Sequence, residues 1–179
     1  MALLGQPLIQ YVNLGIGGQT ISSMIANAPV RVDPRFANRN AEKWTVVFWG
    51  GANDLNTGSN AATIYSKIKT YCQARKNAGE HVLFMSMLPF GFDAAKETIR
   101  ADVNTLLRAD FATPTAFTRI YSGAAWADYM LDIGADPTIG VAGSQSNTTY
   151  YLVDGVHLTN AGYGVVAGYA KEALSFIFP

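Results

Sequence analysis

Asp154 and His157, in the run Tyr151-Leu-Val-Asp-Gly-Val-His-Leu-Thr-Asn-Ala-Gly162, are the side chains of this sequence best suited to chemistry. His157 is one of two histidines in 179 residues. A carboxylate three residues before a histidine, on a Gly-containing turn ahead of an apolar helix, suits an oriented general base. It accepts a hydrogen bond from one ring nitrogen and fixes the tautomer, which leaves the other nitrogen free to take a proton. The competing reading is a helix-capping Asp beside a surface His. The other histidine, His81, follows Gly79-Glu80 and reads as a structural residue at the start of a strand.

Two glycine-rich turns upstream offer donors beside such a base. Gly50-Gly51-Ala52-Asn53-Asp54 ends an apolar run, and its glycines let backbone approach a ligand while Asn53 supplies a neutral amide donor. A plain strand-ending turn has the same composition. Asp54-Leu-Asn56-Thr-Gly58 hints at a calcium loop but lacks the glycine at the sixth position and the glutamate at the twelfth, so no metal is expected. Asn13-Leu-Gly15-Ile-Gly17-Gly18-Gln-Thr20 resembles a phosphate cradle. It fails the dinucleotide pattern at Thr20 and has no P-loop lysine, so no nucleotide cofactor is expected. A Gly18 N–H turned toward a developing oxyanion accounts better for these glycines. Trp126, Tyr150 and Tyr151 either line a cleft or pack, and packing is the commoner role.

These turns need strands and helices to hold them. Residues 8–14 read as a short strand, 20–27 as a short helix, and Pro29 and Pro34 make 28–43 a loop. The continuous apolar run 44–49 is the pattern of a strand covered on both faces. A helix over 61–78 buries Ile64, Ile68 and Cys72, a strand covers 81–88 up to Pro89, and a helix over 93–110 buries Ile99, Val103, Leu106 and Leu107. Phe117 to Tyr121 reads as the last strand, 124–131 as a helical piece, 134–150 as a mobile surface loop, and 160–177 as the final helix. Alternating strands and helices imply a parallel sheet between helical layers, with ligands beyond the strands' carboxyl ends.

With 49% apolar residues and 13 basic against 13 acidic side chains, the chain reads as one soluble globular domain over 1–179. Zero net charge argues against a nucleic-acid surface or a polybasic membrane anchor. The single Cys72 excludes an internal disulfide, and no signal peptide or membrane-spanning run is visible, so the compartment is left open.

Together the three segments resemble the SGNH (GDSL-like) hydrolase family. Asn13 to Thr20 matches the second family block, Gly51-Ala-Asn53-Asp54 the third, and Asp154-Gly-Val-His157 the fifth. The resemblance implies a flavodoxin-like three-layer α/β/α sandwich with a parallel sheet, and ester hydrolysis. It implies His157 as base, Asp154 as its orienter, and the Gly18 N–H and Asn53 as oxyanion donors. The first family block, Gly-Asp-Ser-(Leu/Ile), is absent, and only twelve residues precede Asn13. The expectation is therefore a domain incomplete at its N-terminus, lacking the first strand, the first helix and the nucleophile. By resemblance that strand lies between 8–14 and 44–49, and its absence favours self-association. Ser22 and Ser23, just past the Gly18 turn, are the nearest substitutes, against the plainer role of serines in a first helical turn. The substrate expected is a small neutral ester, such as an acetyl group on a carbohydrate. The nucleophile comes from an upstream segment, or the chain is an inactive binding module for a glycan or acyl group, or a relocated or partner-supplied nucleophile acts.

Overall fold

The structure, a computed structural model, describes residues 11–36, 44–91 and 93–178. Its strands are β1 (Thr45–Phe48), β2 (His81–Met85), β3 (Thr113–Pro114), β4 (Ile120–Ser122) and β5 (Tyr129–Leu131). They form one sheet in the order β1-β2-β5-β4-β3. The β1–β2 and β2–β5 pairs are parallel, with Val46 opposite Val82 and Phe84 opposite Met130. β4 runs antiparallel to both β5 and β3, so the sheet is mostly rather than wholly parallel.

The helices are α1 (Ile21–Arg31), α2 (Asp33–Phe36), α3 (Ala52–Asn56), α4 (Ala61–Asn77), α5 (Ala94–Asp110) and α6 (Asn160–Ile177). Val46, Phe48, Val82, Phe84 and Met130 turn one face of the sheet toward Ile64 and Ile68 of α4, Val103 and Leu107 of α5, and Ile21 of α1. The alternate residues Leu83, Met85 and Leu131 turn the other way, toward Val166, Ala173 and Ile177 of α6. Burial on both faces is why β2 reads as an unbroken apolar run. Each long helix starts on a polar side chain that accepts from the first turn: Thr20 from Ser23, Asn60 from Thr63, Asp93 from Ala95, and Thr159 from Gly162.

Several expectations are corrected. Residues 11–14 carry no strand, and 8–10 lie outside the described residues. Helix α1 runs through Pro29 to Arg31, and α2 follows, so much of 28–36 is helical rather than loop. Pro29 removes one N–H from the ladder, but burial of Ala28 and Val32 and a Val32 N–H···O=C Ala28 bond of 2.8 Å hold the last turn. β1 is not covered on both faces: Val47 is 44% exposed. Residues 129–131 are strand β5, not helix, fixed by partners on both sides. The 134–150 segment holds the 3-10 turns Ile133–Ala135 and Ser144–Ser146 and buries Ile139 and Gln145, so it is packed structure. Leu106 is 38% exposed, while Arg100 and Asn104 occupy the buried stripe of α5 instead.

Glu80 enters β2 with 4% exposure, and neither carboxylate oxygen has a hydrogen-bond partner among the described residues. Burial pushes its carboxyl up to about 7, with Arg75 opposing. A carboxyl raised above its unfolded value contributes stability that is present at low pH and lost as pH rises through the folded pKa. The melting temperature is expected to fall by roughly 5–10 °C between pH 5 and pH 8 on this account, and Glu80→Gln to remove that fall. Parallel thermal melts of the two proteins across this range check it; an equal fall in both contradicts it.

Candidate active site

The turn that carries Asp154 and His157 is closed by its own backbone. Tyr151 bridges Leu158, the Leu152 N–H donates to the His157 carbonyl at 2.7 Å, and the Gly155 N–H donates to the Leu152 carbonyl at 2.9 Å. Gly155 takes φ +65°, which suits glycine. Downstream, Gly162 lets α6 start against this turn, since a Cβ there would lie 2.3 Å from the Tyr150 carbonyl oxygen. Within the turn, Asp154 Oδ1 accepts from the Val156 N–H at 2.9 Å and the His157 N–H at 3.0 Å. Its Oδ2 sits 2.7 Å from His157 Nδ1. The hydrogen bond from the imidazole, followed by those from the His157 and Val156 N–H groups, lowers the Asp154 carboxyl to about 2. Asp154 therefore stays ionised at any pH where a histidine base works. Both side chains are well exposed, and no described residue hydrogen-bonds Nε2.

The donor turns meet at the carboxyl end of β1. Gly51, at φ +109°, opens α3, and the Asn53 amide donates one hydrogen to the Gln19 carbonyl at 3.0 Å. A carboxamide has two such hydrogens, so one stays available. The next residue, Asp54, is fully buried; it accepts from the Ile21 N–H at 2.8 Å and pairs with Lys67 at 2.8 Å. These bonds clamp the head of α3 against residues 19–21. They set Asn53 one residue from Gly18, whose exposed backbone turns at φ +79°. Asp54 serves as this clamp, and among the described residues no group of three or more His, Cys, Asp or Glu forms a metal-ligand cluster.

A segment that the sequence reading passed over spans the two halves. After β2, the chain runs from Met87, whose sulfur lies against Gly51, to Gly91, whose N–H donates to the Gly155 carbonyl at 2.8 Å. Asn104 grips Met87 at both ends: its oxygen accepts from the Met87 N–H at 2.9 Å, and its nitrogen donates to the Met87 carbonyl at 2.8 Å. Arg100 adds a bond to the same carbonyl at 3.0 Å, and Gln145 donates to the Gly91 carbonyl at 3.1 Å. Arg100 and Asn104 stand four apart on a helix face otherwise apolar, which was the available sign of a buried polar clamp.

The substitute serines follow the residues that α3 clamps, but neither hydrogen-bonds His157 among the described residues. Ser22 and Ser23 lie in the first turn of α1, and Ser23 Oγ is 3.1 Å from the Thr20 hydroxyl. Ser86 is buried and donates to Asp132 at 2.8 Å. No serine hydroxyl bonds His157 among the described residues. His81 begins β2, its N–H donating to the Trp44 carbonyl at 2.8 Å. Trp126 and Tyr151 pack in the core, with polar tips on Asp110 and on the Ile139 carbonyl, while Tyr150 is half-buried.

A layered α/β fold, with an oriented histidine and a glycine–asparagine donor turn at the strand ends, is the setting of an ester-type hydrolase. The family whose model matches residues 2–165 is the GDSL-like Lipase/Acylhydrolase family, and the chain belongs to it. No curated protein matches the chain. Among the described residues, no helix is long and apolar enough to cross a membrane.

Proposed function

We propose that this chain hydrolyses a small neutral acyl ester, with an acetyl ester on a carbohydrate as the substrate class that best fits its zero net charge. The observation that carries the reading is the 2.7 Å contact between Asp154 Oδ2 and His157 Nδ1, which leaves Nε2 as the proton acceptor. His157 takes the proton of the attacking hydroxyl as its oxygen bonds to the acyl carbon. Asp154 stabilises the imidazolium, and the Gly18 N–H and the free hydrogen of Asn53 meet the carbonyl oxygen as it becomes an oxyanion. When the tetrahedral intermediate collapses, His157 returns the proton to the leaving alcohol. With serine as nucleophile, water repeats the sequence on the acyl-enzyme and releases the acid. The serine is the part that the described residues do not set beside His157. We place it outside these 179 residues, with Ser22 or Ser23 as the alternative.

The test is hydrolysis of 4-nitrophenyl acetate by the 179-residue chain, paired with intact-mass analysis after a fluorophosphonate probe. A triad that lacks one member keeps about 10³-fold acceleration over water from its oxyanion donors and binding alone, so weak hydrolysis that Asn53→Ala reduces is expected, without a stoichiometric adduct. A stoichiometric adduct that needs His157 moves the nucleophile to a serine inside the chain, and peptide mapping locates it. A folded chain with no adduct and no hydrolysis above the solution background overturns the esterase reading in favour of a binding module.

A further inference from the structure

Gly91 is gripped from both sides by the stretch of chain that carries His157. Its N–H donates to the Gly155 carbonyl at 2.8 Å, and its carbonyl accepts from Gln145 Nε2 at 3.1 Å. Gly155 stands between Asp154 and His157, and Gln145 lies ten residues upstream of it. The two are joined by short-range bonds. From the 3-10 turn Ser144–Ser146 the chain passes to Asn147, whose carbonyl accepts from the Tyr150 and Tyr151 N–H groups. The Tyr150 carbonyl in turn accepts from the Thr159 N–H, just past the turn. Gln145 and the histidine turn therefore form one body that holds Gly91 by both of its backbone groups. Gly91 sits at φ +70°, where other residues are strained. A Cβ there would meet only Val156, at 3.8 Å, so the backbone angle and not space calls for glycine.

The other end of the strap is fixed independently. Met87 lies against Gly51, which opens α3 just ahead of Asn53, and Asn104 and Arg100 hold its backbone. Leu88 and Pro89 between the two ends are buried, and the proline ring fixes its own φ. Met87 to Gly91 is thus a stiff spacer with the donor turn at one end and the histidine turn at the other. Gln145 is 9% exposed, and its Oε1 is buried with no hydrogen-bond partner among the described residues. An orphaned buried acceptor lowers stability, so stability alone does not account for a glutamine here. We propose that Gln145 is a positioning residue for ester hydrolysis: it holds Gly91 against Gly155 and so sets where the His157 imidazole stands relative to the Gly18 and Asn53 donors. The proposal rests on the esterase reading above. Gln145 leaves the Asp154–His157 pair itself unaltered, because that pair is bonded within its own turn. Misplacing a reacting group by about 1 Å costs up to about 10²-fold in rate.

The test is Gln145→Leu, which removes the bond to Gly91 and the orphaned acceptor together, so the melting temperature should change little. In a form that carries the nucleophile, kcat for an acetyl ester should fall about tenfold or more, with KM within about twofold of wild type. The pH profile of kcat/KM and the nitrogen-15 tautomer of His157 should both stay as they are. In the 179-residue chain, hydrogen exchange at the Gly91 N–H should quicken about tenfold or more, which reads the tether without turnover. Gly91→Ala breaks the same link through its backbone angle, and the double variant should lose no more kcat than the worse single. This second variant carries the comparison if Gln145→Leu does not fold. Unchanged kcat with a lowered melting temperature makes Gln145 a structural tie and overturns the proposal. A shifted pH profile or tautomer also overturns it, since the effect would then lie in protonation, and so do losses that add in the double variant. A nucleophile-bearing wild type without hydrolysis overturns the esterase reading itself, whereas an active wild type beside an equally active variant overturns only the role of Gln145.

Discussion

In a form of the enzyme that carries the nucleophile, asparagine in place of Asp154 is expected to lower kcat for ester hydrolysis about 10⁴-fold. The reason lies in which atom faces the imidazole. Asp154 Oδ1 already accepts from two backbone N–H groups, so an asparagine keeps its oxygen there and turns its NH₂ toward His157. His157 Nδ1 must then accept, the ring proton moves to Nε2, and the nitrogen facing substrate can no longer take a proton. Nitrogen-15 spectra of labelled histidine read the exchange of tautomers directly, whatever the turnover. Rates follow from initial velocities on an acetyl ester. An unchanged tautomer with full activity would remove Asp154 from its role. Because the turn is exposed and keeps its backbone bonds, the melting temperature should stay nearly constant.

In a form that carries the nucleophile, Asn53→Ala is expected to lower kcat about 10²- to 10³-fold with little change in KM, the loss that follows removal of one oxyanion donor. Asn53 also ties Gln19 to α3, and loss of that single hydrogen bond costs about 1 kcal/mol of stability. The two effects separate in measurement. A variant with retained kcat and a lowered melting temperature would make Asn53 a structural tie only. The fully buried Asp54 still holds Ile21 and Lys67 in that variant, so the head of α3 keeps its place.

What the sequence showed of the site was the part that is local. Asp154 and His157 meet because they share one turn, so their spacing alone forecasts their contact. Gly18 and Asn53 lie far apart along the chain, and only the order of the three motifs brought them into one reading. The strap from Met87 to Gly91 escaped notice because its contacts run through backbone carbonyls and N–H groups, which any residue supplies. The same physics separates the fold's legible and illegible elements. β2 and the helices α4, α5 and α6 bury long stripes, and their periodicity is plain. β5 is three residues long and exists because β2 and β4 bracket it, which no local pattern records. Leu106 was expected inward because it is apolar. Arg100 and Asn104 take inward positions because the loop after β2 needs its polar groups met.

The turn from Leu152 to Leu158 holds the imidazole we propose as the base, its carboxylate and the bonds that orient both. It therefore travels as a cartridge. Drift elsewhere in the molecule can change where the imidazole stands but not its tautomer, so its chemical competence and its aim fail independently. A lineage could lose aim through the Gly91 tether, keep a working base, and regain activity by re-seating one loop. The same unit is short enough to graft onto another scaffold with its protonation logic intact, where only its placement would need design.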